Sequence, residues 1–433
     1  MISRLCTVMG APLVIALAIS AHLSAAISTG AGDSQDVVRR AILVDGEDVL
    51  GRLVSLDAAG QLVIVQEGEE HNTLTHELAL DDFVLWGAPV DPPAFSRLAV
   101  NESARIILAS GGFITADLIA CDMESVKTES RLLGAVEIPL SQIAAILLAP
   151  PTSAKRCDEL VATLLERDIA ADQLGMTNGD AITGAITAID IDGANSTIAL
   201  ENDGRRLSIP FTNVNAITFD PRTLNARQSA ERYRIGFSDG SLVNAAEFLI
   251  ENGKATFTPF SGTTWSAAAE KTVYVDYANP RVNWLEDRVP DQYQHVPFLT
   301  GEWDWLPKRN ALGGQLRCEQ QRFAHGLGTH SASQLTYALR EPVTRFQAEI
   351  ALDDVSTLGS VVFRVVTFHR LEGETVRKER FVSPIIRNGD APIAVSIDLD
   401  GAVGIRLIVD FGESGDQQDY ANWLNARLIR AVD

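Results

Sequence analysis

The feature that most limits this chain is a turn signal that returns four times. Asp45-Gly46, Ser110-Gly111, Asn178-Gly179 and Asp239-Gly240 each sit between runs of apolar residues. Successive glycines lie 65, 68 and 61 residues apart. Five residues after each comes another small residue: Gly51, Ala116, Gly184 or Ala245. Dipeptides of this kind supply the positive φ of a tight hairpin. A small residue one strand later lets two backbones approach closely. The pattern predicts four copies of one short-stranded unit.

The first three units close with a strand and an apolar tail, at Leu78 to Trp86, Ile138 to Ile146 and Ile209 to Ile217. The fourth, ending near Tyr277, reads as having lost this tail. So few residues in short strands cannot make a wide sandwich but can curl into a small barrel. In strand count and turn placement the units resemble SH3-like or Sm-like barrels. The expected units span 36–90, 100–150, 174–220 and 231–288, with a linker helix in 151–173. Leu160, Val161, Leu164 and Leu165 give that helix its apolar side. As a row, the units would act as spacers that hold the C-terminal third away from an anchor.

Residues 1–26 read as an export signal: Arg4, then an uncharged apolar run from Val8 to Ile19, then small residues at Ser24-Ala25-Ala26. The competing reading is an uncleaved membrane anchor, which Pro12, Ser20 and His22 weaken. A formal net charge of −21 argues against nucleic acid and against anionic membrane surfaces. Beyond the signal, Cys121, Cys157 and Cys318 are too few and too widely spaced for a disulfide scaffold or a zinc ribbon.

From Val289 the texture changes. Tyr293, Phe298, Trp303 and Trp305 precede a stretch, Phe323 to Leu339, that begins with His325, Gly326, Gly328 and His330. It reads as a glycine-spaced turn with two histidines at an accessible rim, followed by a strand with Leu335, Tyr337 and Leu339 on one face. Arg345 to Leu352, Ser360 to Phe368, Ile393 to Leu399, Ile405 to Phe411 and Trp423 to Ile429 follow as strands. Short strands with Gly and Asp turns predict an antiparallel sandwich over 289–433. The expected fold class is all-β: small barrel repeats followed by a galactose-binding-like, jelly-roll sandwich.

Gly326-Leu-Gly-Thr-His330-Ser331, Ala351-Leu-Asp353-Asp354, Gly359-Ser-Val-Val-Phe363-Arg-Val365 and Asp419-Tyr-Ala421-Asn-Trp423 resemble, in order and spacing, the NPCBM family. The last motif departs from the family, with Tyr420 and Asn422 where His and Asp are usual. The resemblance implies a galactose-binding-like sandwich and a non-catalytic role near polysaccharide.

A sugar site needs an apolar plane for pyranose C–H groups and polar groups for the hydroxyls. The aromatic candidates are Trp303, Trp305 and Trp423, and the polar ones are His330, Ser331, Arg364 and the Asp353/Asp354 pair. The bland alternative makes Trp423 core and His330 a backbone partner. Calcium is the metal to consider, because Asp410, Glu413, Asp416 and Asp419 recur every third residue through a glycine-containing loop. A solvated acidic loop explains the same run. No G-x-S-x-G, Walker or HExxH motif occurs. With the export signal, the NPCBM resemblance implies an exported, non-catalytic protein whose expected partner is carbohydrate. The rival reading is a cell-envelope scaffold that binds other envelope proteins.

Overall fold

The computed structural model describes residues 38–431 except 68–72, 92–101, 152, 166–169, 226–231, 261, 299–300 and 414. The expected export signal lies outside the described residues. Each of the four turn glycines has positive φ, from +80° to +93°. The small residue that follows also serves its expected purpose. A Cβ at Gly51 would lie 2.7 Å from the Val65 carbonyl oxygen across the hairpin.

The first unit contains strands Arg39–Leu43, Asp48–Leu56, Gln61–Glu67, Thr73–Ala79 and Phe83–Gly87. A 3-10 turn, Leu80–Asp82, precedes its last strand. The last strand pairs back onto the first, Ala41 opposite Trp86. The other units repeat this plan. The fourth keeps its tail too, as the 3-10 turn Ala269–Lys271 and strand Thr272–Tyr277. Its alanines hid that tail in the sequence, because they lack the proline and bulky residues that mark the second and third.

These units are not barrels. Among the described residues no sheet closes on itself: Thr73–Ala79 pairs with Gln61–Glu67 and never returns to Phe83–Gly87. The free edge of the last strand is used by a neighbour instead. Phe83–Gly87 pairs with Thr272–Tyr277 of the fourth unit, Trp86 opposite Val275. Ile143–Leu147 of the second pairs with Val214–Thr218 of the third, Ile146 opposite Ile217. Leu242 pairs with Phe113, which ties the fourth unit to the second. The result is one 21-stranded assembly with a shared core, not a string of beads. The helix Ala154–Leu165 lies on it, burying Cys157 and Leu164 against Ile107, Ala145 and Leu147. All three described cysteines are free thiols.

The C-terminal part is a sandwich of two six-stranded sheets. Its long central strand, Tyr420–Arg430, pairs with Gly326–His330 on one side and Val343–Leu352 on the other. Trp423 is fully buried between the layers, 4.9 Å from the Phe363 ring of the opposite sheet and 6.3 Å from Phe346 of its own. It belongs to the core and is no platform.

The repeats do not hold the sandwich at a distance. Strand Val343–Leu352 turns Phe346, Ala348 and Ile350 into the sandwich core. Its alternate residues meet the first repeat. Arg345 donates to the Asp45 carbonyl (2.8 Å) and Gln347 to that of Val44 (3.2 Å). Glu349 accepts from Arg40 at 2.7 Å and from Asn425 at 2.9 Å. Repeats and sandwich form one compact unit, Val37–Asp433.

Candidate functional site

The histidine-bearing stretch is neither a turn nor a rim. Gly326–His330 is a strand inside a sheet. Its glycines answer crowding: a Cβ at Gly326 would lie 2.5 Å from the Trp423 carbonyl oxygen, and one at Gly328 would overlap the Arg309 carbonyl. Glycine spacing looks the same in sequence whether it permits a turn or a close approach.

The two histidines end in separate clusters. His325 stacks on Trp284, 3.8 Å between centroids. Its Nδ1 donates to Glu286 (2.5 Å) and its Nε2 to Asp276 of the fourth repeat (2.8 Å). Two carboxylate acceptors require both ring nitrogens to be protonated. Burial opposes that charge, but Asp276 and Glu286 outweigh it and raise the pKa to about 9. This histidine is a rivet between repeats and sandwich.

His330 is only 2% exposed. Trp303 lies flat on it, 4.4 Å between centroids and 3° between planes. Tyr420 meets both rings edge-on at 5.8 Å. His330 Nδ1 donates to the Ser331 carbonyl at 2.8 Å. Burial lowers its pKa, so the ring is neutral at pH 7. His295 braces the arrangement: its Nε2 donates to the same carbonyl (3.0 Å), and its Nδ1 accepts from the Trp303 amide (3.4 Å). The Tyr293 hydroxyl donates to the Trp303 carbonyl. Trp303 is thus a half-buried plane held from beneath, flanked by exposed Glu302 and Asp304.

Phe298, 56% exposed, extends this aromatic edge. It meets Phe411 edge-on at 5.6 Å and covers Gly415. Phe298 and Trp303 therefore both pack on the segment from Phe411 to Tyr420. Tyr420, the family departure, proves to be a partner of Trp303. Sequence reasoning noted Phe298 among the clustered aromatics but had no register to place it beside this segment. It gave His295 no role, since an isolated histidine carries no spacing signal.

The other candidates lie elsewhere or are occupied. Trp305 packs against the sandwich core. Ser331 is fully buried and donates to Asp419 at 2.6 Å. Arg364 is on the outer face of its strand, between Glu379 (3.5 Å) and Asp410 (3.4 Å). Asp353 is a buried keystone that accepts from Asn310, Asn422 and the amides of Arg317 and Val355.

The four calcium candidates are dispersed among other partners. Asp410 pairs with Arg364, and Glu413 pairs with Arg387 at 2.6 Å. Asp419 is buried and also accepts from the Ser360 amide; burial raises its pKa to about 6. Asp416 is half-buried and acts electrostatically on His330. Among the described residues no group of three or more His, Cys, Asp or Glu is placed to hold a metal. No helix among them is long and apolar enough to cross a membrane.

The chain is similar to several known proteins. One curated relative, named "Putative endo-alpha-N-acetylgalactosaminidase", from Renibacterium salmoninarum, is 26% identical over 172 residues, 38% of this chain. The chain spans 11% of that relative's length. Similar solved structures include CBM51-2 with GlcNAc and INT domains from Clostridium perfringens ZmpB. It is 20% identical, covers 46% of this chain and 40% of that one, and has a TM-score of 0.29. CBM51 from Clostridium perfringens GH95 with methyl-galactose is 20% identical, covering 34% and 99%, with a TM-score of 0.28. The tandem CBM51 modules of Sp3GH98 from Streptococcus pneumoniae SP3-BS71 are 14% identical, covering 62% and 91%, with a TM-score of 0.30. The family model that matches is the NPCBM/NEW2 domain, over residues 283–429. Those residues are an NPCBM domain.

Proposed function

We propose that this is an exported, non-catalytic protein whose NPCBM domain binds carbohydrate at the edge formed by Trp303 and Phe298. The observation that carries the reading is Trp303 lying flat on a neutral, buried His330. A ring held this way is immobilised before any ligand arrives, so stacking a pyranose on it costs little ordering entropy. Glu302, Asp304 and Asp416 lie within the same loops and are suited to accept from sugar hydroxyls. His330, buried and already bonded, serves as a support for Trp303 and makes no ligand contact. N-acetylgalactosamine-bearing glycans are the first ligands to try, on the printed name of the curated relative. A shallow stacking site of this kind reaches about −4 to −8 kcal/mol, which is mM to μM. A glycan array probed with the full chain tests the reading. Selective retention that disappears in Trp303→Ala supports it; an array silent to a folded protein refutes it.

A second reading, an envelope scaffold, draws on a different observation. The outer strands Thr73–Ala79, Gly134–Pro139, Arg205–Pro210 and Thr263–Ala268 each pair on one side only among the described residues. Such edges can accept a strand from a protein partner. Retention of envelope proteins with no glycan bound would favour it.

A further inference from the structure

A cleft of about 490 Å³ lies between the first and fourth repeats, away from the sandwich. Its walls are the hairpin turn Asp57–Gln61, the segment Ala79–Asp81 and the strand segment Ala246–Leu249, with Arg232 and Tyr277 at one side. We propose that this cleft is a second saccharide site, one that takes an uncharged mono- or disaccharide. The proposal stands on its own geometry and does not depend on the Trp303 edge.

The floor is apolar and rigid. Tyr233 lies between Phe248 (5.9 Å) and Tyr277 (5.4 Å), all three buried. The rim is polar and carries both signs of charge. The exposed Arg232 guanidinium sits over the Tyr277 ring at 5.6 Å and donates to its hydroxyl at 3.0 Å. It takes part in no salt bridge among the described residues, although Asp81 is near enough to act on it electrostatically. The Asp81 carboxylate likewise has no hydrogen-bond or ion-pair partner among the described residues. One oxygen of Asp57 shapes the turn by accepting from the amides of Ala59 and Gln61, both at 2.9 Å.

This chemistry narrows the ligand. An anion at Arg232 would face Asp57, Asp81 and Glu247. A cation among those carboxylates would face Arg232. A neutral polyol suits both sides, because each hydroxyl can donate to a carboxylate and accept from a guanidinium. The volume falls within the range of roughly 300–1,000 Å³ typical of small-ligand sites.

The test uses the full chain carrying Trp303→Ala, so that the sandwich edge does not contribute. Lactose, cellobiose, maltose and chitobiose are titrated by saturation-transfer NMR and calorimetry. Expected is one equivalent of at least one disaccharide per chain. Arg232→Met and Asp81→Asn should each weaken it at least tenfold. Ala59→Trp, which fills the mouth from an exposed turn position, should abolish it with the melting temperature unchanged. Silence toward all four sugars overturns the proposal, as does binding indifferent to the three cleft variants. A preference for a zwitterionic peptide such as Lys-Glu over every sugar also overturns it. Failure of the sandwich reading appears separately, as Trp303→Ala leaving total binding unchanged from the unsubstituted chain.

Discussion

Replacing His325 with Gln gives a direct measure of what holds the repeats to the sandwich. The native imidazole is buried, stacked on Trp284, and donates to Asp276 and Glu286. Its pKa rises from 6.5 to about 9 despite burial, through the two carboxylates. At about 1.4 kcal/mol per pKa unit that shift corresponds to about 3 kcal/mol. The sign follows from linkage. The folded state binds this proton more tightly than the unfolded chain does. The contribution is therefore complete below pH 6.5 and is lost as pH rises through about 9. With an unfolding entropy of about 2 cal/mol/K per residue, ~3 kcal/mol moves the melting temperature of a unit this size by about 4 °C. The assay is the difference in melting temperature between native protein and His325→Gln, taken from pH 6 to pH 10. The difference should be about 4 °C at pH 6 and shrink toward zero near pH 10. A difference that is flat with pH, or that grows on the alkaline side, would refute the charged-histidine account.

Other consequences can be measured just as simply. Trp423→Ala empties the centre of the sandwich and should cost about 3–5 kcal/mol, seen as a lower denaturant midpoint. Arg364→Ala, at an exposed ion pair, should change stability by less than about 1 kcal/mol and leave glycan retention intact. Gly328→Ala should lower the yield of folded protein or its melting temperature sharply, since the added methyl meets the Arg309 carbonyl. Calcium at millimolar concentration, or its removal by chelator, should leave the melting temperature unchanged, given how Asp410, Glu413 and Asp419 are already occupied.

Much of the architecture was legible because local chemistry dictates it. Gly46, Gly111, Gly179 and Gly240 each announce a hairpin, and the alternation of Phe346, Ala348 and Ile350 announces a strand with one buried face. What stayed hidden is non-local. Trp86 and Ile146 read as closing a barrel, yet the same apolar strand pairs as well with a neighbouring repeat, and nothing in its own residues says which. Arg345, Gln347 and Glu349 look like a solvent face until Arg40 and the turn after Val44 are brought against them. At the site, Trp303 was legible as a loop aromatic. His330 was misjudged because glycines that admit a crowding backbone look like glycines that make a turn. Tyr420 stood out only as a departure from the family's last motif until its ring was found edge-on to Trp303.

The most direct trial of the account is an equilibrium titration of the full chain and its Trp303→Ala variant with the glycan retained best on the array. The glycan's mass is checked after prolonged incubation. Binding is expected at mM to μM, weakened at least tenfold in the variant while that variant stays folded, with the glycan recovered whole. Equal affinity in the two proteins, or a cleaved glycan, would contradict it.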